Sequence, residues 1–595
     1  MILPFKANHC FAMLDLSGFA DAGLPRVAGM FLHDTRHLSD YRWDFSGFEL
    51  IEAQETLTEV TQFWSRFVHH EQDLLIQRTL RFRPDGFDDV LSVRNESLTE
   101  QVFTPQLTAD ADFVDCFELR GRVRAIGRNR VDRTTDAAGT AFTYLAQDGI
   151  RTATTLRFSG FSNGAGIVLA PGQSVDLAVR GDFATTLPGV DDGAPLPGFQ
   201  IRATSAVQQQ ALADITALTC SSPQGVYVAA GVPNFVTLFG RDSLITAWFL
   251  LHAAPGLARS TLLNLAQFQG TVDNPARAEQ PGKIPHEIRQ GELSRCDDVP
   301  FGRYYGTTDA TALFVMVLRD THDPGLARTL EPHWRSALDW IEGQQDAQGL
   351  IRYGTARVGR GLVHTSWKDS DDSVSYADGR LATGQIAVVE IQGYAAAALL
   401  AGAELNDALG GPPAETLRLR AKAAALRLQI DALFWNDRLG LHAIAVDAAG
   451  AQCDTATSNP GHLLWAGVLS PDRAWQVADR LMQPDLWSGW GLRTLSTREK
   501  RYKPLSYHNG SVWPHDTGLF AAGLHRYGLT GHCNTVCRAL LALAARQPGL
   551  HMPELLGGYA RSADIPPLVY VETCRPQAWA AAAVIWAASH QTEKD

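Results

Sequence analysis

The stretch His364–Ser373, HTSWKDSDDS, gathers residue types suited to work on a sugar. Three carboxylates, Asp369, Asp371 and Asp372, share it with Lys368 and Trp367. An indole offers an apolar face to a sugar ring, and carboxylates accept hydroxyls or move protons. Asp, Ser and Lys suit a helix interior poorly, because their side chains compete for backbone hydrogen bonds or need water, so the segment is predicted as a loop. On this stretch alone a solvated acidic turn explains the composition equally well. Other clusters shift that balance. FGRDS at 239–243 opens a helix and sets Arg241 beside Asp242. Helix capping is one use of that Asp; gripping sugar hydroxyls while the Arg keeps it ionised is another. YHNGSVWPHD at 507–516 supplies His508 and Trp513. Its two His stand seven apart around a Pro, which is no recognised ligand spacing, so stacking and hydrogen bonding to a sugar are predicted and no metal. Glu554, in MPEL ahead of Gly557-Gly558, is either paired with an Arg (Arg561 is near) or held as a base.

The elements that must position these residues fall into two parts. Residues 1–205 read as β-structure, with alternating segments such as Val102–Leu107, Thr154–Phe158 and Val175–Val179 between Gly/Pro/Asn turn signals. Many short strands at such spacing predict a sandwich. Within it FLHDTRHL at 31–38 is unusually charged; an Asp34–Arg36 pair closing a strand end is the plain explanation. Residues 206–595 read as helix and loop only. Apolar periodicity marks about twelve helices, near 205–219, 240–254, 256–270, 307–322, 327–345, 384–407, 413–436, 458–467, 470–482, 511–526, 529–547 and 576–590. Twelve helices in antiparallel pairs predict an (α/α)6 barrel behind the β-sandwich, an α+β multidomain chain. The polar clusters lie in connections or at helix starts. Alternate connections of such a barrel emerge at one end, so the clusters are expected to converge on one mouth.

Bulk properties narrow the partners. The 595 residues exceed one ordinary core. Their formal charge is −12, with no Lys/Arg run, which argues against nucleic acid and other polyanions. Eight cysteines show no repeating spacing, and the Cys533/Cys537 pair finds no second pair to complete a zinc site. Buried free thiols in a reducing compartment follow, and no apolar run approaches a membrane span. The expectation is a cytoplasmic protein with a small neutral partner such as a sugar, and no cofactor. Composition leaves the oligomeric state open.

The motifs FGRDS, GKIPHEIRQGE, WKDS, VVEIQGY, YHNGSVWPHD, MPEL and PQAWA, in this order, resemble the bacterial glycogen-debranching-enzyme-like family of amylo-α-1,6-glucosidase type. FLHDTRHLS looks like that family's N-terminal domain. The resemblance implies an enzyme that hydrolyses α-glycosides with inversion and needs no metal; His33, Asp34 and Arg36, reaching from the sandwich to the barrel mouth, are expected to trim the pocket to exo-acting length. By position in the motifs it implies Asp369 as general acid and Glu554 as general base. It implies Arg241 and Asp242 as the sugar anchor, and Trp367, Glu390, His508 and Trp513 as pocket lining. Lys368, Tyr305 and Asp34 are further candidates for the substrate site. Relatives usually carry an aromatic where Asp371 stands and Gly where Ser366 stands, so the leaving-group side is expected to differ, and a small α-glycoside is at least as good a substrate as glycogen. Inversion requires one protonated and one ionised carboxyl roughly 6.5–9.5 Å apart. Asp371 and Asp372 would raise the pKa of Asp369 by like-charge repulsion; an inward Lys368 would oppose them.

Three other readings compete. A glycoside phosphorylase would dispense with Glu554 but wants an anion cluster, and no Gly-rich phosphate loop is evident. A non-catalytic sugar-binding protein would leave Asp369 and Glu554 without a task. Asp369-Ser370-Asp371-Asp372 fits the D-x-D-D pattern of some terpene cyclases, whose apolar cavity the polar clusters contradict.

Overall fold

The structure, a computed structural model, describes residues 2–20, 27–68, 71–188, 198–357 and 359–591. Strands dominate up to Thr185. Eight antiparallel strands form one sheet, with Ser174–Thr185 and Gly86–Asn95 paired at its centre and the long Glu71–Arg83 beside them. These strands alternate buried and accessible residues, the period-2 pattern of a sheet with one covered face. A four-stranded meander of Ile2–Ala7, Cys10–Asp15, Gly29–Leu32 and Thr35–Leu38 lies on that face. The two sheets share one core, in which Phe5 stacks on Phe82 at 5.2 Å. The segment predicted at Val102–Leu107 divides into two strands, Gln101–Phe103 and Leu107–Asp110, which pair with different partners.

Helices dominate from Ala206 onward, and all twelve predicted helices are present. Pro stands at the first turn of Pro255–Ala266, Pro413–Phe434, Pro460–Ala466, Pro471–Leu481 and Pro514–Arg526, where its missing N–H is no loss. The helix predicted near 327–345 is broken into Pro324–Thr329 and Glu331–Gly343. The expectation of helix and loop alone is wrong in detail. Gln385–Val388, predicted as helix, is a strand, and it joins a four-stranded sheet with Tyr353–Gly354, Ala445–Asp447 and Gln452–Cys453. Strands of two to four residues carry too little periodicity to be read from sequence.

Burial sorts the helices into two kinds. Val389–Ala408 and Ala578–His590 are buried on nearly every side, whereas Pro413–Phe434 buries only the stripe Thr416, Leu419, Ala423, Leu426, Ile430 and Phe434. The fully buried kind closes a ring. Gly240–Phe249, Ala310–Asp320, Val389–Ala408, Pro460–Ala466, Pro514–Arg526 and Ala578–His590 each pack on the next, and the last packs on the first. Ala206–Leu218, Pro255–Ala266, Glu331–Gly343, Pro413–Phe434, Pro471–Leu481 and Thr530–Ala544 lie against them from outside. No described helix is long and apolar enough to cross a membrane.

Candidate active site

The inner helices deliver the polar clusters to one place. Gly240 starts its helix against the carbonyl of Pro285, and a Cβ at this position would lie 2.1 Å from that oxygen. Glycine therefore lets Arg241 enter the centre of the site. Its Nη1 donates to both oxygens of Asp309, at 3.2 and 3.0 Å, and its Nη2 donates to Asp369 Oδ2 at 3.1 Å. His286 Nε2 lies 3.7 Å from the same Oδ2, an ion-pair distance. The Asp369 side chain is 24 % exposed, against 4 % for Arg241, so the carboxyl is accessible while its cation is not. Burial would raise the Asp369 pKa, but His286, Arg241 and His508 outweigh it and hold the carboxyl down at about 2. For His286 burial opposes the charge, yet Asp369 and Glu287 raise it to about 9.

Glu554 is in the opposite condition. It is buried, its Oε1 accepts from the Tyr507 hydroxyl at 2.5 Å, and its Oε2 accepts from the Cys574 amide at 3.4 Å. Burial drives its pKa up to about 8 against the pull of those donors, with Asp242 and Asp369 adding like charge. Arg561, the partner suggested by the sequence, lies instead over Trp490 at 4.5 Å.

Between these acids runs an aromatic and imidazole box. Trp367 is stacked on His462 at 5.5 Å and meets His508, Trp513 and His515 edge to face at 5.5, 5.7 and 5.1 Å. The Ser370 amide approaches His508 Nδ1 at 3.4 Å and the Ser370 hydroxyl lies 2.9 Å from it, while burial lowers the imidazole pKa to about 3. The ring is thus neutral, and its buried Nε2 has no partner among the described residues. Trp367 Nε1, Glu390 Oε1, Asn459 Oδ1 and Asp516 Oδ2 are likewise buried without one. Glu390 Oε2 accepts from Asn459 at 2.8 Å, and burial lifts Glu390 to about 6.

Several expected roles change. Asp242 forms no pair with Arg241, whose guanidinium serves Asp309 and Asp369; Asp242 is buried in the first helical turn, and burial raises it to about 6. Lys368 donates to the Thr494 carbonyl at 2.6 Å, and Asp371 and Asp372 pair with Arg357 and Arg501. None of the three sets the Asp369 carboxyl, whose raised pKa is therefore not observed. Trp513 Nε1 is spent on the Tyr507 carbonyl at 2.8 Å, which leaves its ring for the box. Tyr305 is buried, and its hydroxyl donates to the Phe268 carbonyl at 2.7 Å. Asp34 and Arg36 do not pair with each other: Arg36 holds Asp112, while Asp34 reaches Arg289 at 2.9 Å.

His286, Glu287, Asp309 and Tyr507 lie within motifs or clusters legible in the sequence, yet sequence reasoning singled out none of the four. The signal was present for His286, flanked as it is by Glu287 and, two residues further on, by Arg289.

Two family models match the chain. Residues 311–553 match the mannosylglycerate hydrolase MGH1-like glycoside hydrolase domain, so the chain carries a glycoside hydrolase domain. Residues 5–180 match the N-terminal domain of (some) glycogen debranching enzymes. The two matches are of the kinds that the ordered motifs implied, a debranching-enzyme N-terminal domain followed by a glycoside hydrolase domain. No curated protein matches the chain. Among solved structures, the GH63 mannosylglycerate hydrolase from Thermus thermophilus in complex with glucose aligns at 17% identity, covering 64% of this chain and 99% of that one, with a TM-score of 0.48. The same enzyme with Tris and D-glycerate aligns at 16% identity, over the same 64% and 99%, with a TM-score of 0.47. At these TM-scores the superpositions add nothing to the two domain matches.

Proposed function

We propose that this protein is an exo-acting, inverting hydrolase of a small α-glycoside, in which Asp369 protonates the leaving oxygen and Glu554 activates water. The ring of six inner helices with six outside it supports reading the catalytic part as an (α/α)6 barrel, residues 206–595, behind a β-sandwich of residues 1–205. The observation that carries the proposal is the pair of carboxyls: each is held by named donors, and each lies within electrostatic reach of the other. Inverting hydrolysis needs such a pair on opposite faces of the sugar. The Trp367 box and the unpartnered atoms of His508, Glu390 and Asn459 offer ring stacking and hydroxyl recognition. Arg241 anchors the acid side. The eight cysteines are free, which supports a reducing, cytoplasmic location.

A second reading exchanges the two roles, because the carboxyl that is protonated at neutral pH is Glu554 and the ionised one is Asp369. One experiment tests both. Small α-glycosides (isomaltose, panose, kojibiose, nigerose, trehalose and mannosylglycerate) are screened with proton NMR of the anomer released. The Asp369→Asn and Glu554→Gln variants are then compared on the best substrate and on the matching α-glycosyl fluoride, whose leaving group needs no acid. On the natural glycoside each variant is expected to lose roughly 10²–10⁴-fold in kcat. Recovery on the fluoride by Asp369→Asn alone supports the first reading, recovery by Glu554→Gln alone the second. An α-anomer as first product, or release that depends on added phosphate, overturns the inverting hydrolase.

A further inference from the structure

Asp369, if it is the acid, is held in the state that lacks a proton. The surroundings of His286 resolve this. A file of buried charges runs into the site from the sheet domain: Asp34 Oδ1 to Arg289 Nη1 at 2.9 Å, Arg289 Nε to Glu287 Oε2 at 2.7 Å, Glu287 Oε1 to His286 Nδ1 at 3.4 Å, His286 Nε2 to Asp369 Oδ2 at 3.7 Å. The sign alternates at each step. All five residues except Asp369 are nine-tenths or more buried. Arg289 is also enclosed by the rings of Phe117, Phe239 and Phe235 at 5.3, 5.5 and 5.9 Å, and donates to the Asn234 carbonyl.

The sheet domain grips the loop that carries this file. Asp34 Oδ2 accepts from the Gln290 amide at 2.8 Å, Asp115 accepts from the Leu293 amide at 3.0 Å, and Glu292 takes Arg124 at 2.9 Å and the Tyr144 hydroxyl at 2.8 Å. A Cβ on Gly291 would lie 2.2 Å from Asp115 Oδ2, so only glycine lets the two domains close here. Asp34 stands at the tip of the hairpin joining Gly29–Leu32 to Thr35–Leu38, beside His33 with a φ of 53°. That hairpin ends inside the catalytic loop.

We propose that His286 and Asp369 act as one dyad that stores the proton for the leaving group, and that Asp34, through Arg289 and Glu287, is a positioning residue for it. The inference rests on Asp369 being the acid. The proton leaves His286 Nε2 for Asp369 and passes to the glycosidic oxygen as the bond to the anomeric carbon breaks. Glu554 acts in its ionised form, the minor one below about pH 8, and takes one proton from the attacking water. Solvent then returns a proton to His286 and removes one from Glu554, so the cycle balances as addition of water. The groups facing His286 are Glu287 next to it in the chain, Asp369, and Arg241 and Asp242 from the helix start, with the rings of Phe239 at 5.4 Å and Tyr304 at 5.9 Å. Burial and Arg241 oppose the imidazolium, while Asp369 and Glu287 favour it and prevail up to about pH 9.

The test joins a titration to a rate comparison. With ¹⁵N-labelled histidine, one imidazole of the wild type is expected to remain protonated at pH 8, to vanish from the spectrum of His286→Gln, and to titrate roughly one unit lower in Glu287→Gln. Asp34→Asn and Glu287→Gln are expected to lose roughly 10–10³-fold in kcat on an unactivated glycoside and less than about fivefold on the glycosyl fluoride, with KM little changed. A thermal melt confirms that each variant is folded. If no imidazole is protonated at pH 8, the dyad is overturned whether or not the protein cleaves any glycoside. If the imidazole is protonated but the variants lose equally on both substrates, the file is structural and its part in proton delivery is overturned. If instead Glu554→Gln is the variant rescued by fluoride, the underlying assignment fails while the titration still stands.

Discussion

Two neighbouring carboxyls of the site, Asp369 and Glu554, have opposite ionisation. At Asp369 two cations, Arg241 and His286, converge on a single oxygen, and burial loses to them. At Glu554 a phenol and a backbone amide are the only donors among the described residues, and burial wins. Desolvation is the first-ranked influence on both, so depth alone does not decide charge; the formal charge of the partner does. A neutral donor stabilises a carboxylate without supplying the field of a guanidinium. The same contrast sets Arg241, committed to two acids, against Asp242 one residue on, whose carboxyl burial pushes up to about 6.

The contrast can be broken at its strongest point. Arg241→Met leaves Asp309 buried without its cation and Asp369 with His286 alone, and is expected to cost roughly 3–5 kcal/mol in denaturant unfolding. A loss below about 1 kcal/mol would mean that solvent already screens the pair.

Stability against pH sharpens it further. Glu554 has a folded pKa near 8 against an ordinary value of 4.5, so the folded state keeps a proton that the unfolded chain loses. Its contribution declines as pH rises from 4.5 to 8 and is fully unfavourable above that. Glu554→Gln removes this penalty and is expected to be more stable than wild type by roughly 1–3 kcal/mol at about pH 8.5, and equal to it at about pH 4. Asp369 has a folded pKa near 2 against 3.8, so its contribution is present above 3.8 and lost as pH falls through 2. Asp369→Asn is expected to be less stable than wild type at about pH 7, the difference closing toward about pH 2. Chemical unfolding at the two ends of each range reads both, and shifts of the same sign would erase the contrast.

The smallest effect belongs at the rim. Arg357 pairs with Asp371, whose side chain is 64 % exposed. Arg357→Ala is expected to change stability by less than about 0.5 kcal/mol, because exposed pairs gain little. A larger loss would give the acidic triplet beside Asp369 a structural task that the geometry does not support.

What was legible follows from the range of the interaction. The helix Val389–Ala408 announces itself by continuous apolar content, and Pro413–Phe434 by its stripe. The strand Gln385–Val388 was lost in the helix that follows it, because its partner Ala445–Asp447 is far along the chain and nothing local marks the pairing. Asp369 and Glu554 were legible from their motifs. Their charge states were not: the neighbours named from the sequence, Asp371, Asp372 and Lys368, turn to Arg357, Arg501 and Thr494 instead.

Local properties (periodicity, proline placement and motif composition) marked out the strand-rich and helix-rich parts, the twelve helices and the acids on which the chemistry is proposed to turn. Packing alone set Arg241 between Asp309 and Asp369, turned the Tyr305 hydroxyl to the Phe268 carbonyl, and brought Asp34 to Arg289 across 255 positions of chain. Pairing of buried charges depends on which side chains arrive in the same low-dielectric space, and that is a property of the packed chain, not of neighbours in sequence.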